Sequence, residues 1–345
     1  MDGKQRQTMS ACVVDIGGTH IRCAASDENA ALFNVQKKTL ASFDRGRSPG
    51  RVWKEIIDAI AGYELSVKEM ISREAPLIIS FPGPVAYPSR ILNAPTLVGN
   101  DAALPDLRSE IANLTGRRTY IINDISAATW HLSRTVEDNR FLTVTVSSGI
   151  GSKIFDRRHP DGVLDNVPFA GEIGHIKIDS SPDAMLCDCG GKGHLGAIAS
   201  GRGIERFAGM LAKQERARFE QSACVTQFLG SADTLTNEEH IVPAARIQDA
   251  WALEIIRRCT RPLAAVLLAL TASAGLDRIV VIGGFALSLG QGYLDLLQEE
   301  MLTICDYKIL AEKIPDLLVM GNADEEACLQ GAAVYALKIK SCSCG

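Results

Sequence analysis

No apolar run in the chain is long enough to cross a bilayer, which takes about 20 residues. The most apolar stretch, residues 262–276, is shorter and carries Thr271 and Ser273. A basic excess is also missing. The 36 Lys and Arg against 41 Asp and Glu leave a net charge of −5. No broad positive field is therefore present to hold nucleic acid or an anionic membrane, and neither is expected as a partner. The opening MDGKQRQTMSA has no apolar core, so no secretory signal is expected. Ten cysteines in 345 residues are too few for a disulfide scaffold. Cys12 and Cys23 lie in strand-like apolar runs, and Cys259 and Cys328 in helical patterns. These read as reduced core residues of a cytoplasmic protein. The C-x-C pair Cys342 and Cys344 reads as tail. Low-complexity tracts and linkers are absent too.

What remains is an ordinary globular composition, 46% hydrophobic and 22% charged, long enough for two domains. Without a linker the domains must meet at short crossings, near residues 130 and 325. The expected division is 1–130, joined by a C-terminal helix at about 325–345, and 131–324.

The densest chemistry lies in Gly171–Gly201, GEIGHIKIDSSPDAMLCDCGGKGHLGAIASG. His175, Cys187, Cys189 and His194 supply two imidazoles and two thiolates, a plausible tetrahedral zinc set. Glycines 190, 191 and 193 let the backbone fold back so that His194 reaches the same ion. Four protein ligands leave no open position, so the metal is expected to be structural.

Two other stretches share a layout. ACVVDI, ending near Asp15, is followed by Gly17, Gly18 and Thr19 and then a second strand-like run. A helix does not follow the turn, which excludes a dinucleotide fingerprint or a P-loop. The arrangement is a hairpin whose amides and Thr19 hydroxyl could meet a phosphate, with Asp15 beside it to hold a hydrated Mg²⁺. Residues 142–154, LTVTVSSGIGSKI, repeat the layout with Ser147, Ser148, Gly149 and Gly151 in the turn. The pair reads as an internal duplication, one phosphate hairpin in each half of the chain. Between them TYIINDISAATWHL changes from strand to helix at Asn123 and Asp124, the carboxyl end of a strand, where α/β proteins place functional groups. Asp124 as a simple N-cap is the competing reading. DRIVVIGG is a buried strand ending in Gly283 and Gly284, which would let a nucleoside approach the backbone. ILNAPTL at 91–97 is expected to be extended. A long helical span from about Glu238 to Ala274 is expected to be bent or interrupted near Pro262.

Together these residues resemble the ROK family of sugar kinases and repressors, over nearly the whole chain. The resemblance implies a two-domain α/β, actin-like and hexokinase-like (ribonuclease H-like) ATPase fold, with the active site in the cleft between the domains. Asp15-Ile16-Gly17-Gly18-Thr19 matches the first phosphate motif and Ser147-Ser148-Gly149-Ile150-Gly151 the second. Gly283-Gly284 matches the nucleoside glycines, and Asn123-Asp124 the sugar-binding Asn and catalytic Asp. Gly171-Glu172-Ile173-Gly174-His175 with Cys187-x-Cys189-Gly190 is the most specific match; there Glu172 and His175 face the sugar and His175 also binds zinc. ATP, Mg²⁺ and structural Zn²⁺ follow as expected cofactors, a sugar-like acceptor as the partner, and a homodimer as the assembly. The short N-terminal arm leaves no room for the DNA-binding domain of the repressor branch. Two departures stand out. His194 replaces the family's third zinc cysteine. Gly196 replaces a sugar-binding Glu that contacts glucose near its anomeric end, which opens the acceptor to an amino sugar or a cyclitol as well as glucose. In the implied reaction Asp124 takes the proton of a primary hydroxyl that attacks the γ-phosphorus of ATP. The alternatives are a non-catalytic sugar-sensing regulator acting through a protein partner and an acceptor-independent ATPase.

Overall fold

The computed structural model describes residues 10–40, 47–99, 102–322 and 325–343, with side chains to 340. The stretch before Ser10 and the thiols of Cys342 and Cys344 lie outside them. Among the described residues no helix is long and apolar enough to cross a membrane. The chain divides into two units. One comprises the described residues up to Glu137, Val163–Ala170 and the C-terminal segment from 325; the other is Asp138–Gly162 with Gly171–Asn322.

The first unit contains β1 (Ala11–Ile16), β2 (His20–Ser26), β3 (Leu32–Thr39), α1 (Pro49–Val67), β4 (Leu77–Phe81), β5 (Val85–Ala86), β6 (Arg90–Ile91), α2 (Pro95–Val98), α3 (Leu107–Thr115), β7 (Thr119–Asn123) and α4 (Asp124–Leu132). Its main sheet runs β3-β2-β1-β4-β7. β1 and β2 form an antiparallel hairpin, while β4 and β7 add parallel to β1. Every residue of β1 and β4 is buried. Both faces are covered, which is why these strands are continuous apolar runs rather than alternating ones. One cover is α1, whose buried stripe includes Val52, Trp53, Ile56, Ile60 and Tyr63. Trp53 stacks on Phe81 with ring centroids 6.2 Å apart. Another is the C-terminal helix Ala327–Ser343, which packs on α4, β1 and β4. The stretch expected to be extended at 91–97 instead closes a helical turn at α2, where Pro95 supplies the pre-set φ of a first helical position.

The second unit holds β8 (Arg140–Val146), β9 (Ile150–Asp156), a 3₁₀ turn at Ile173–His175, α5 (Leu195–Ala199), α6 (Gly201–Gln214), α7 (Arg216–Glu220), α8 (Ala223–Thr226), a π turn at Asn237–Ile241, α9 (Val242–Arg246), α10 (Ala250–Ala274), β10 (Arg278–Ile282), α11 (Gly284–Leu289), α12 (Gln291–Ile304), α13 (Lys308–Leu317) and β11 (Leu318–Met320). The sheet order is β11-β10-β8-β9. Again an antiparallel hairpin, β8–β9, leads, and β10 and β11 add parallel to its first strand. The sheet of the first unit has the same β2-β1-β4-β7 pattern, so the two sheets repeat one topology. The bend or interruption expected near Pro262 falls instead at residues 247–249. There Gln248 takes φ +65° and the Asp249 carboxylate caps α10 by accepting from Ala252 N–H at 2.9 Å. α10 continues through Pro262 because Cys259, Leu263, Ala264 and Leu267 are completely buried around it, which outweighs the one helical hydrogen bond proline forgoes.

Candidate active site

In the first unit, the β1–β2 turn is closed by Gly17 N–H donating to His20 O at 2.8 Å, with Gly18 and Thr19 at the tip. The Thr19 hydroxyl lies 2.9 Å from His20 Nδ1. Asp15 sits two residues before this turn, buried, opposite Arg22 on β2 and beside Ser80 on β4. Ser80 Oγ donates to Asp15 Oδ1 at 2.9 Å, and Arg22 Nη1 stands 3.4 Å from Oδ2. Burial raises the Asp15 pKa, and the Ser80 hydrogen bond and Arg22 charge oppose that rise. A buried carboxylate beside the turn, with one arginine against it, suits a hydrated Mg²⁺, which keeps most of its waters and takes phosphate oxygens for the rest. Arg22 Nη2 also reaches Glu325 Oε2 at 3.0 Å, which Lys37 approaches at 2.6 Å.

Asn123 ends β7 and caps α4. Its Oδ1 accepts from Ile125 N–H at 2.9 Å and Ser126 N–H at 3.3 Å, and its Nδ2 donates to Gly83 O at 3.0 Å and Asp124 Oδ1 at 2.9 Å. That engages both amide hydrogens and the carbonyl oxygen twice. Asn123 is thus the cap, and Asp124 is the first helical residue, held by Asn123 and by Ile125 N–H at 2.9 Å. The Asp124 carboxylate is thereby oriented by its own neighbours in the chain. Beneath it, the Cys328 thiol donates to Asp124 O at 3.5 Å, and burial pushes this thiol's pKa well up.

In the second unit, the β8–β9 turn is closed by Ser147 N–H to Gly149 O at 3.0 Å. The start of α6 grips the turn: Gly201 N–H donates to Ser147 O at 2.7 Å and Arg202 Nε to Ser148 O at 2.9 Å. Gly151 lies inside β9, paired with Thr145, not in the turn itself. A cavity of about 530 Å³ opens here, lined by Ser147, Ser148, Gly201, Arg202, Glu205, Asn237, Glu238, Arg246, Gly284 and Phe285 among others. It brings Ser148 and Gly284 together as the sequence suggested, with Gly283 adjoining at the end of β10. Arg202, Glu205, Asn237 and Arg246 had no motif to mark them. They come from helix ends that only folding brings to one place.

The GEIGH segment lies on the same hairpin. Gly171 has φ +82°, and a Cβ there would stand 1.7 Å from Ser152 O. Only glycine allows that approach. His175 follows on the 3₁₀ turn, with Nε2 3.9 Å from Glu172 Oε2. The metal candidates converge: one ligand atom from each of His175, Cys187, Cys189 and His194 falls within 4.8 Å of the others. Cys187 Sγ is 3.9 Å from His175 Nδ1, and Cys189 Sγ is 3.3 Å from His194 Nδ1. Ligand atoms of a tetrahedral zinc stand roughly 3.3–3.8 Å apart, from bond lengths of about 2.0–2.3 Å, so two thiolates and two imidazoles suit zinc by donor type and would close on it once the wider pairs, within 4.8 Å, draw in. Gly193 at φ +72° turns the chain back toward His194. Gly196, on the first turn of α5, packs on this motif: a Cβ there would be 3.1 Å from Gly174 O.

Two hairpin-led sheets of the same topology, with polar turns at the strand ends, define the actin-like, hexokinase-like ATPase fold. The chain belongs to the ROK family, whose pattern matches residues 11–339. It is 33% identical to a C(7)-cyclitol 7-kinase of Streptomyces hygroscopicus subsp. jinggangensis (strain 5008) over 340 residues, 95% of each chain. It is 27% identical to an N-acetylmannosamine kinase of Vibrio vulnificus (strain CMCP6), over 94% of this chain and 97% of that one. Among solved structures it is similar to a ROK family glucokinase from Streptomyces griseus in complex with glucose and AMPPNP, at 25% identity and a TM-score of 0.67. That match covers 94% of this chain and 97% of the other.

Proposed function

We propose that the chain transfers the γ-phosphoryl group of ATP to the primary hydroxyl of a C7-cyclitol, with Asp124 as general base. Kinase chemistry of the sugar and cyclitol class follows from its family and relatives. The observation that carries the base assignment is the Asp124 carboxylate, fixed at 2.9 Å by both Asn123 Nδ2 and Ile125 N–H on the first turn of α4. Cyclitol as acceptor rests on the 33% identity to a cyclitol kinase and on Gly196. A cyclitol has no anomeric hydroxyl for a carboxylate at 196 to bind.

In this reading Asp124 accepts the proton of the attacking hydroxyl. Asn123 orients Asp124, and Glu172 and His175 hold ring hydroxyls. Backbone at the tip of the Gly17–Thr19 turn and the amides of Ser148 and Gly149 stabilise charge on the phosphoryl group in flight, with Gly17 and Gly151 shaping the two hairpins, and Gly283 and Gly284 lie beside the nucleoside. Mg²⁺, held through water by Asp15, would neutralise charge on the β and γ phosphates. His175, Cys187, Cys189 and His194 would hold a structural zinc, which orients His175. A homodimer belongs to the same reading; light scattering should give twice the chain mass.

The test is an acceptor panel of glucose, amino sugars and C7-cyclitols, reading ADP release and product mass. The reading requires cyclitol-dependent ADP and a product phosphorylated on its exocyclic hydroxyl. ADP formed without acceptor, or none with any acceptor, rejects it.

A further inference from the structure

The loop that carries two of the metal ligands is tied to the phosphate turn. Asp188 lies between Cys187 and Cys189, and its carboxylate is shared by two arginines of α6: Oδ2 is 3.0 Å from Arg202 Nη1 and Oδ1 is 3.1 Å from Arg206 Nη1. Arg202 Nε in turn donates to Ser148 O at 2.9 Å. Both contacts come from one planar guanidinium, whose donors have a fixed fork geometry, so Asp188 sets the direction in which Arg202 presents Nε.

The consequence lies in the peptide planes of the turn. In a trans peptide the C=O and the following N–H point in opposite directions. Tying Ser147 O to Gly201 N–H aims the Ser148 N–H away from α6. Tying Ser148 O to Arg202 aims the Gly149 N–H the same way. Neither N–H is bonded to a protein group among the described residues. These are the two donors that the proposed function places on the phosphates.

We infer that Arg202, steered by Asp188, is a positioning residue for nucleotide phosphate, and that it couples the metal loop to the β8–β9 turn. This rests on the kinase reading and adds to it a pair of residues whose part in nucleotide binding no motif marks. Asp188 is not among the residues lining the cavity, and Arg202 is the residue that both contacts Asp188 and lines it.

The experiment titrates the full-length, zinc-loaded protein with a non-hydrolysable ATP analogue by calorimetry and reads metal content by mass spectrometry. Arg202→Ala is expected to weaken the analogue about tenfold, the factor for ~1.4 kcal/mol, with metal content unchanged. Asp188→Asn is expected to weaken it about threefold, a fraction of the same interaction. The double variant is expected to be no weaker than Arg202→Ala, because both changes break one chain of contacts. Arg206→Ala leaves the Asp188–Arg202 pair intact and should bind as wild type. By reciprocity the analogue should tighten metal retention in a chelator-buffered titration, and Asp188→Asn should abolish that tightening. Asp188→Asn binding like wild type, additive losses in the double variant, or Arg206→Ala matching Arg202→Ala would overturn the inference. Wild type that binds no analogue removes the kinase reading and this inference with it; wild type that binds while Asp188→Asn is unaffected removes the inference alone.

Discussion

Replacing Asp124 with Asn separates chemistry from structure at one atom pair. Asp124 Oδ1 accepts from Asn123 Nδ2 and Ile125 N–H, each at 2.9 Å. An asparagine can place its carbonyl oxygen in the Oδ1 position and keep both bonds, which turns its amide nitrogen toward the Oδ2 position. The structural loss is then that of a negative charge in the first turn of α4, about 0.3–1 kcal/mol. The catalytic loss is far larger. A positioned general base contributes about 10²–10⁴ in rate, or ~2.7–5.4 kcal/mol of barrier at 1.36 kcal/mol per tenfold. The variant should therefore fold, bind acceptor within a few-fold of wild type and lose at least about a hundredfold in kcat. Single-turnover phosphoryl transfer at saturating acceptor, with acceptor affinity measured separately by calorimetry, reads both quantities. A kcat within about threefold of wild type would refute the base assignment, since that gap leaves only ~0.7 kcal/mol for the carboxylate.

Three further outcomes follow from the second unit. Stripping metal with a chelator should weaken acceptor affinity while far-UV circular dichroism is unchanged, because His175 is both a metal ligand candidate and a neighbour of Glu172; a chelated, folded protein with wild-type affinity would contradict this. Gly196→Glu should shift the ratio of kcat/KM toward glucose by about tenfold or more, since a buried hydroxyl partner discriminates strongly. The new Cβ needs only a small shift, with Gly174 O at 3.1 Å, so loss of folding is not the expected result. Asp156 accepts from Arg158 and Arg140, and these hydrogen bonds hold its carboxyl below its ordinary value of 3.8. The unfolded chain therefore takes up this proton first as pH falls. Stability from this group is complete above the ordinary value and is lost as pH drops toward the lower folded one. The stability gap between wild type and Asp156→Asn should shrink over that range in acid-unfolding curves, and a gap that stays constant through it would show that protonation of Asp156 is not linked to folding.

Local signals were strong where glycine or a ligand type does one task. Strand, small-residue turn, strand reads as a hairpin, and both hairpins are present, at residues 17–19 and 147–149. The spacing of His175, Cys187, Cys189 and His194 foretold that they converge. The changeover after β7 was also visible, but which residue capped the helix was not, because Asn and Asp are nearly equal caps. Asn123 takes that place, and its amide is spent on the cap, Gly83 and Asp124. Tertiary contacts hid the rest. Pro262 reads as a helix breaker, yet burial of its neighbours carries α10 through it. Val163–Ala170 groups with the first unit, where Asp165 Oδ2 accepts from Ser126 Oγ at 2.5 Å; a single aspartate in a loop carries no such information in sequence. Arg202 and Asp188 are 14 positions apart, and only the fold makes them partners.

Phosphorylation of a C7-cyclitol by this ROK protein is the proposal on which the other expectations depend. Its most direct test is a competition: equimolar C7-cyclitol and glucose with limiting ATP and wild-type protein, the two phosphorylated products being quantified by mass. The cyclitol product should exceed glucose phosphate by about tenfold or more, the discrimination expected of a pocket without the carboxylate at 196. Equal products, or an excess of glucose phosphate, would contradict it.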